Sequence, residues 1–347
     1  MQTRLSPPPS ATHSTVVAAT HRPRCVLLAG SARGGTSWAL KVLDSHPGVQ
    51  ACHEPFYRLS YNKQLQTVYD RIKAGQGTAT DSELLTQALM KACMETHKPP
   101  FFCKHFLNSP ALLRTTTWMM AKAFKPMRST FNYLASAELN NEHCIVIKNR
   151  PFPKLDRILV NLQADALILL RHPCGVVSSW LRGIRIGVMH PASVDSETVW
   201  GRYANYLIPL GFSEADLGRM SPAGILAINW LVDASLFQQY EQSSIIKTRV
   251  MVYEDLVRNS LEEWAKVFQW LHLPFDSAVE SFLDRSSTPG FDVRRLLGEK
   301  FSYFSVQRGE KSPVESWRQK LTSEEIKEVL SIVTPHFSVE QYWPDTP

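Results

Sequence analysis

The chain has 347 residues, enough to bury a large core in one large domain or two modest ones, and its 44% hydrophobic and 20% charged content is that of an ordinary globular protein. Thirty-eight basic against 32 acidic residues give a net charge of +6, which suits an anionic ligand, while no dense Lys/Arg run or RNA-binding signature points to nucleic acid. Six cysteines without a Cys-x-x-Cys pair read as buried free thiols in a reducing compartment, and no His or carboxylate cluster has metal-ligand spacing, so no metal is expected.

Residues 1–21 carry Pro7-Pro8-Pro9 among many Ser, Thr and Ala and read as a flexible tail. The remainder, 22–347, reads as a single domain. No apolar run is long enough for a signal segment or a membrane span, so a cytoplasmic location is the expectation. Val26-Leu27-Leu28-Ala29 is a buried-strand pattern. It breaks into the glycine turn Gly30-Ser31-Ala32-Arg33-Gly34-Gly35, and a helical pattern begins near Trp38. Strand, glycine loop and helix N-terminus together hold a phosphate, because free loop amides and the positive end of the helix dipole converge on one anion. The spacing approaches the P-loop pattern Gly-x4-Gly-Lys-[Ser/Thr], with Gly30, Gly35 and Thr36-Ser37. Thr36 stands where the lysine of a triphosphate enzyme belongs, and the nearest cation is Arg33.

Val49–His53 reads as a second strand that delivers Glu54-Pro55. Helix-compatible segments fill 60–73 and 82–96, and Phe101–His105 is a further strand candidate. Residues 110–140 look largely helical. Cys144–Lys148 is a buried-strand pattern ending in a cation, followed by a helix over about 155–162. Ala166–Arg171 is a strand, and His172-Pro173 opens the next helix. Residues 196–242 are mostly helical, Arg249–Tyr253 is a strand, and helices follow at about 260–271 and 322–333. The stretch 286–316 lacks periodicity and reads as a mobile loop. Alternating strands and helices predict an α/β fold: a central parallel sheet with helices on both faces, of P-loop-like architecture. Arg33, Glu54, Lys104, Lys148, Arg171 and Tyr253 all fall at or just beyond a predicted strand end, where such sheets bind ligands.

Arg171 at a strand end, with Ser179 eight residues later in the next helix, suits a second phosphate. Taken with Arg33-Gly34-Gly35-Thr36-Ser37-Trp38, this segment resembles the superfamily of sulfotransferases that use 3′-phosphoadenosine 5′-phosphosulfate (PAPS). That family carries a basic-x-Gly-Thr-[Ser/Thr] loop and an Arg-x-Pro strand end with Ser eight residues on, here Arg171, Pro173 and Ser179. Tyr253-Glu254-Asp255-Leu256, Arg308-Gly309 and Trp317-Arg318 match further family segments in order, although the spacing from Arg308 to Trp317 departs from the cytosolic branch. The likeness is greatest to the carbohydrate and protein-tyrosine branch.

The resemblance implies roles. Residues Arg33, Gly34, Gly35, Thr36 and Ser37 would wrap the 5′-phosphosulfate. Arg171 and Ser179 would bind the 3′-phosphate, and Arg308-Gly309 would close over the phosphates. Trp38 would stack on adenine, or else be a core aromatic of its helix; Tyr253 would flank the base, or else pack at the strand end. Lys148 would contact the bridging oxygen and stabilise the leaving bisphosphate, with Arg150 near the acceptor. For the general base, Glu54 is the first candidate, His105 the rival and His53 a third. Cytosolic members use a strand-end Lys-x-His, whereas Lys104 and His105 are adjacent here, which turns one side chain to the other strand face. The expected acceptor is a hydroxyl of a glycan or glycolipid, with Trp118, Trp180, Trp200, Tyr203, Tyr206 and Trp230 as candidate lining residues. Two other readings remain at this point: a P-loop kinase-like enzyme, opposed by Thr36 and by Arg171 where an Asp should end a strand, and a non-catalytic nucleotide-binding protein of the same fold.

Overall fold

The computed structural model describes residues 23–90, 94, 99, 101, 110–135, 144–287 and 314–346. The expected tail, Lys104-His105, Arg308-Gly309 and nearly all of the 286–316 loop lie outside them.

Six consecutive buried residues form β1 (Cys25–Gly30). A strand with no exposed side must be covered on both faces, and β1 lies at the centre of a five-stranded parallel sheet. The others are β2 (Val49–His53), β3 (Cys144–Lys148), β4 (Asp165–Leu170) and β5 (Thr248–Val252), in the order β2-β3-β1-β4-β5. Register pairs Leu28 with Lys148, Gly30 with Leu169, and His53 with Lys148. Side chains alternate between two cores, as a period of two requires. Leu27, Ala29, Ile145, Ile147 and Ile168 face one side; Val26, Leu28, Val146, Leu167 and Leu169 face the other.

The helices are α1 (Thr36–Ser45), α2 (Lys63–Ala74), α3 (Ala79–Met90), α4 (Ala111–Ala123), α5 (Met127–Ala135), α6 (Leu155–Leu162), α7 (Pro173–Arg185), α8 (Ser196–Leu207), α9 (Glu214–Arg219), α10 (Pro222–Glu241), α11 (Tyr253–Arg258), α12 (Ser260–Trp270), α13 (Ser277–Ser287), α14 (Trp317–Lys320), α15 (Ser323–Val333) and α16 (Val339–Tyr342). Helices α1, α12 and α13 cover one face. Helices α2, α3, α6, α7, α10 and α15 cover the other. Helix α10 is apolar on every side, and its start is fixed by Pro222 and by Ser221, whose hydroxyl accepts from the Ala223 and Gly224 amides. Cys25, Cys52, Cys144 and Cys174 are free and buried, and burial pushes the Cys144 and Cys174 thiols up to about 12.

After β1 the chain runs through α1 to β2, two places away, and then returns to place β3 and β4 on either side of β1. Strand order therefore reverses around β1, and the crevice beyond its carboxyl end is the position where such sheets bind ligands. Tyr253 does not end β5 but starts α11, and α14 and α16 are short helices without a periodic sequence pattern long enough to reveal them. No helix among the described residues is long and apolar enough to cross a membrane.

Candidate active site

Gly30 and Gly35 shape the loop after β1. A Cβ on Gly30 would lie 2.5 Å from Thr36 Cγ2 and 2.9 Å from the Leu169 carbonyl oxygen, so only glycine lets β1, β4 and α1 meet there. The Gly34 amide donates to the Ser31 carbonyl at 2.8 Å, closing the turn. Arg33 (φ 70°) and Gly35 (φ 94°) both adopt left-handed backbone. Gly35 caps α1 without a side-chain hydrogen bond, which leaves the first amides of the helix facing the loop. Trp180, on α7, donates its indole N–H to the Ala32 carbonyl at 3.0 Å and pins the loop from the other face.

The loop and the Arg171 segment, 138 residues apart in sequence, meet directly. Arg171 Nη1 donates to the Arg33 carbonyl at 2.9 Å, and Arg33 Nε donates to Ser179 Oγ at 3.3 Å. The Arg171 guanidinium carbon lies 4.5 Å over the Tyr253 ring. Its Nε is buried and has no hydrogen-bond partner among the described residues. The Tyr253 ring also closes on Gly35, where a Cβ would come within 2.3 Å of it. Trp38 is 6% exposed and sits edge-on between Tyr253, at 6.2 Å, and Trp264, at 5.6 Å. It is thus a core aromatic beneath the loop, touching the site through Tyr253.

A buried aromatic cluster holds the end of β4 in place. His172 stacks on Trp317 at 4.4 Å and meets Trp343 edge-on at 5.3 Å. Its Nδ1 accepts from the Cys174 amide, capping α7, and its Nε2 lies 3.1 Å from Thr346 Oγ1. Burial, with Arg318 and Arg171 nearby, drives its pKa down to about 3. Glu254, also buried, accepts from the His172 amide at 3.2 Å and from the Trp343 indole at 2.9 Å. Burial raises its proton affinity, and the Trp343 bond opposes that. Trp230 donates to the Arg171 carbonyl at 3.0 Å. Sequence reasoning singled out Glu254 and Trp317 only as parts of motifs and missed His172 and Trp343 as supports. The signal for His172 was its place between the strand-end arginine and the helix-opening proline.

Lys148 ends β3 and Glu54 directly follows the adjacent β2, and they form one pair: Lys148 Nζ lies 2.5 Å from Glu54 Oε1, and the Glu54 amide donates to the Lys148 carbonyl at 2.7 Å. Glu54 holds φ 51°, a left-handed conformation that a non-glycine residue adopts at a cost of about 1 kcal/mol. His53 Nδ1 is 3.7 Å from Glu54 Oε2, and its ring stacks on Phe101 at 5.0 Å.

Beside the loop is a cavity of about 260 Å³, lined among others by Ser31, Ala32, Arg150, Trp180, Asn229 and Asp233. Arg150 Nη2 is 3.3 Å from Asp233 Oδ1. The Asp233 carboxylate raises the pKa of Arg150, against the effect of burial. Of the aromatics expected to line an acceptor site, Trp180 and Trp230 border this cavity; Trp118, Trp200, Tyr203 and Tyr206 do not. Asp233 was not anticipated from sequence. It is one acidic residue amid the apolar run of α10, which by itself is no signal of a site.

No family model matches the chain, and no curated protein matches it. Among solved structures, it is similar to the sulfotransferase domain from the curacin biosynthetic pathway, at 14% identity, 90% coverage of this chain and 98% of that chain, with a TM-score of 0.46. The sulfotransferase domain from the Synechococcus PCC 7002 olefin synthase is similar at 17% identity, with 89% and 94% coverage and a TM-score of 0.44. Retinol dehydratase in complex with androsterone and the inactive cofactor PAP is similar at 11% identity, with 91% and 81% coverage and a TM-score of 0.43.

Proposed function

We propose that this chain is a PAPS-dependent sulfotransferase that moves a sulfuryl group to an acceptor hydroxyl, on a glycan or glycolipid. The observation that carries the reading is the junction of two anion-binding elements, the glycine loop of β1–α1 and the Arg171–Ser179 segment, through the Arg171–Arg33 and Arg33–Ser179 hydrogen bonds. Such a junction suits a ligand with two separate phosphates. Two features fit PAPS: a glycine loop leading into a helix start with no side-chain cap, and a buried guanidinium Nε on Arg171 with no hydrogen-bond partner among the described residues. Thr36 at the lysine position and a cation at the end of β4 speak against a triphosphate enzyme.

PAPS supplies the sulfuryl group; the chain supplies placement and charge. The loop amides and Arg33 hold the 5′ end, and Arg171 with Ser179 holds the 3′-phosphate. Lys148, buried at a strand end beside β1, offsets the charge that builds on the departing phosphate. Glu54 keeps Lys148 in position and is the base that the family resemblance assigns. The family resemblance assigns Arg308-Gly309, which lie outside the described residues, to the phosphates as well. An indole face on Trp180 together with Arg150, Asn229 and Asp233 suits a polyhydroxyl acceptor in the adjoining cavity. Buried free thiols are in keeping with a cytoplasmic location.

The test is calorimetric binding of adenosine 3′,5′-bisphosphate and of Mg·ATP to the wild type and to Arg171→Ala. Metal-independent preference for the bisphosphate, lost in the variant, is the expected result. Preference for Mg·ATP would overturn the reading, and binding of neither would leave a scaffold of the same fold.

A further inference from the structure

Asp233 is a buried charge that the reading above uses only as a wall of the cavity. It lies in α10, which carries no other charged side chain before Glu241, and it is 3% exposed. A buried carboxylate costs several kcal/mol unless it is paired. Its partners come from two strand ends. Arg150, just past β3, brings Nε and Nη2 each to 3.3 Å from Oδ1, and Ser31, the first residue of the glycine loop, donates its hydroxyl. Asp233 therefore marks the point where the cavity floor meets the loop that would hold the sulfuryl donor. Among the described residues that line the cavity it is the one carboxylate. Glu54 does not line the cavity, and its Oε1 is engaged by Lys148 at 2.5 Å.

We propose that Asp233, rather than Glu54, takes the proton from an acceptor hydroxyl seated in this cavity, an inference that rests on the sulfuryl-transfer reading. The hydroxyl oxygen forms its bond to sulfur as its O–H bond breaks, and the proton passes to the Asp233 carboxylate. The bond from sulfur to the 5′-phosphate oxygen breaks, and its electron pair stays on that oxygen, where Lys148 offsets the charge. Glu54 holds Lys148. Burial raises the proton affinity of Asp233 above the ordinary carboxylate range, against Arg150 and Ser31, which lower it. That moves the group toward the pH at which a base is most effective. The other titratable groups that feel Asp233 are Tyr57, after β2, and Tyr240, further along α10; His190 and Arg202 line the same cavity.

The assay follows conversion of PAPS to adenosine 3′,5′-bisphosphate with a panel of methyl glycosides, and with water alone, across pH 4–9. Asp233→Asn is expected to lower kcat about 100-fold or more, with bisphosphate affinity within about threefold of wild type, and to remove the acid limb of the kcat profile. Glu54→Gln is expected to lower kcat but keep that limb. Turnover by Asp233→Asn within about fivefold of wild type would overturn the proposal, and so would loss of the acid limb in Glu54→Gln. The Glu54→Gln arm decides the matter by itself if Asp233→Asn does not fold. A wild type that fails to bind the bisphosphate or to consume PAPS would instead remove the sulfuryl-transfer reading, and this proposal with it.

Discussion

Gly35→Ala is the substitution whose cost the structure defines most closely, because two independent penalties meet at one atom. The first is conformational. Gly35 has φ 94°, and an L side chain in left-handed backbone costs about 1–2 kcal/mol. The second is steric. The new Cβ would lie 2.3 Å from Tyr253 Cε2 and 2.4 Å from Cδ2, against an ordinary contact of about 3.5–4 Å. The ring has little room to retreat, since the Arg171 guanidinium lies over it and Trp38 abuts it. Overpacking of this kind costs about 1–3 kcal/mol. The sum is about 2–5 kcal/mol of stability, to be read from urea denaturation of the wild type and the variant. The double variant Gly35→Ala/Tyr253→Ala separates the parts. Removing the ring abolishes the clash but not the backbone strain, so its interaction energy with Gly35→Ala should be about 1–3 kcal/mol and favourable. Because Tyr253 also supports Arg171, bisphosphate affinity should fall in Gly35→Ala. A Gly35→Ala protein within about 0.5 kcal/mol of wild type, or a double variant whose losses simply add, would refute the reasoning.

Arg171→Ala should weaken adenosine 3′,5′-bisphosphate about 10- to 150-fold, the equivalent of a charge-assisted hydrogen bond of about 1.5–3 kcal/mol, while binding of adenosine 5′-monophosphate changes little; equal losses for both ligands in calorimetry would place Arg171 elsewhere. Lys148→Met should lower kcat about 100- to 1,000-fold with little change in bisphosphate affinity; a loss confined to affinity would deny it a part in the transfer step. His172 has a folded-state pKa of about 3 against 6.5 for a free imidazole. Below pH 6.5 the unfolded chain takes up a proton that the folded chain refuses, so stability is complete above pH 6.5 and is lost progressively as pH falls toward 3. The total is several kcal/mol, and His172→Gln should flatten this acid slope in urea midpoints measured at pH 7, 5.5 and 4.

The strands were legible because full burial leaves a plain mark: continuous Val, Leu and Ile runs such as Val26–Ala29, Ile145–Ile147 and Ala166–Leu170. The glycine loop was legible because Gly30, Gly34 and Gly35 stand between a strand pattern and a helix pattern, although glycine turns after strands are common and it was the Arg171–Ser179 segment that gave the loop its meaning. Arg33, Arg171, Ser179 and Tyr253 were picked out by motif, and they do come together. The stacking role for Trp38 was less accessible. A tryptophan at the third position of a helix looks alike whether it faces a ligand or the core, and only the packing of Trp264 and Tyr253 around it shows that it is buried. His105, Arg308 and Gly309 lie outside the described residues. Asp233 escaped notice because one acidic residue in an apolar helix carries no local pattern. Its meaning depends on Arg150 and Ser31, 83 and 202 residues away.

By itself the sequence determined the five strands of the sheet and most of the longer helices, the parallel character of the sheet, and the strand ends at which charged residues would gather. Those follow from local periodicity, from glycine's conformational freedom and from the need of doubly buried strands for cover on both sides. Tertiary structure alone decided which of those ends are neighbours and which charges pair. Strand order put Lys148 between Glu54 and β1, and the reversal around β1 set the loop against Arg171 and Ser179. The packing of α10 across the sheet then carried Asp233 to Ser31 and Arg150. Pairing between residues as far apart as 83, 94 and 138 positions is fixed by the order and register of the sheet, and no local property of the chain encodes it.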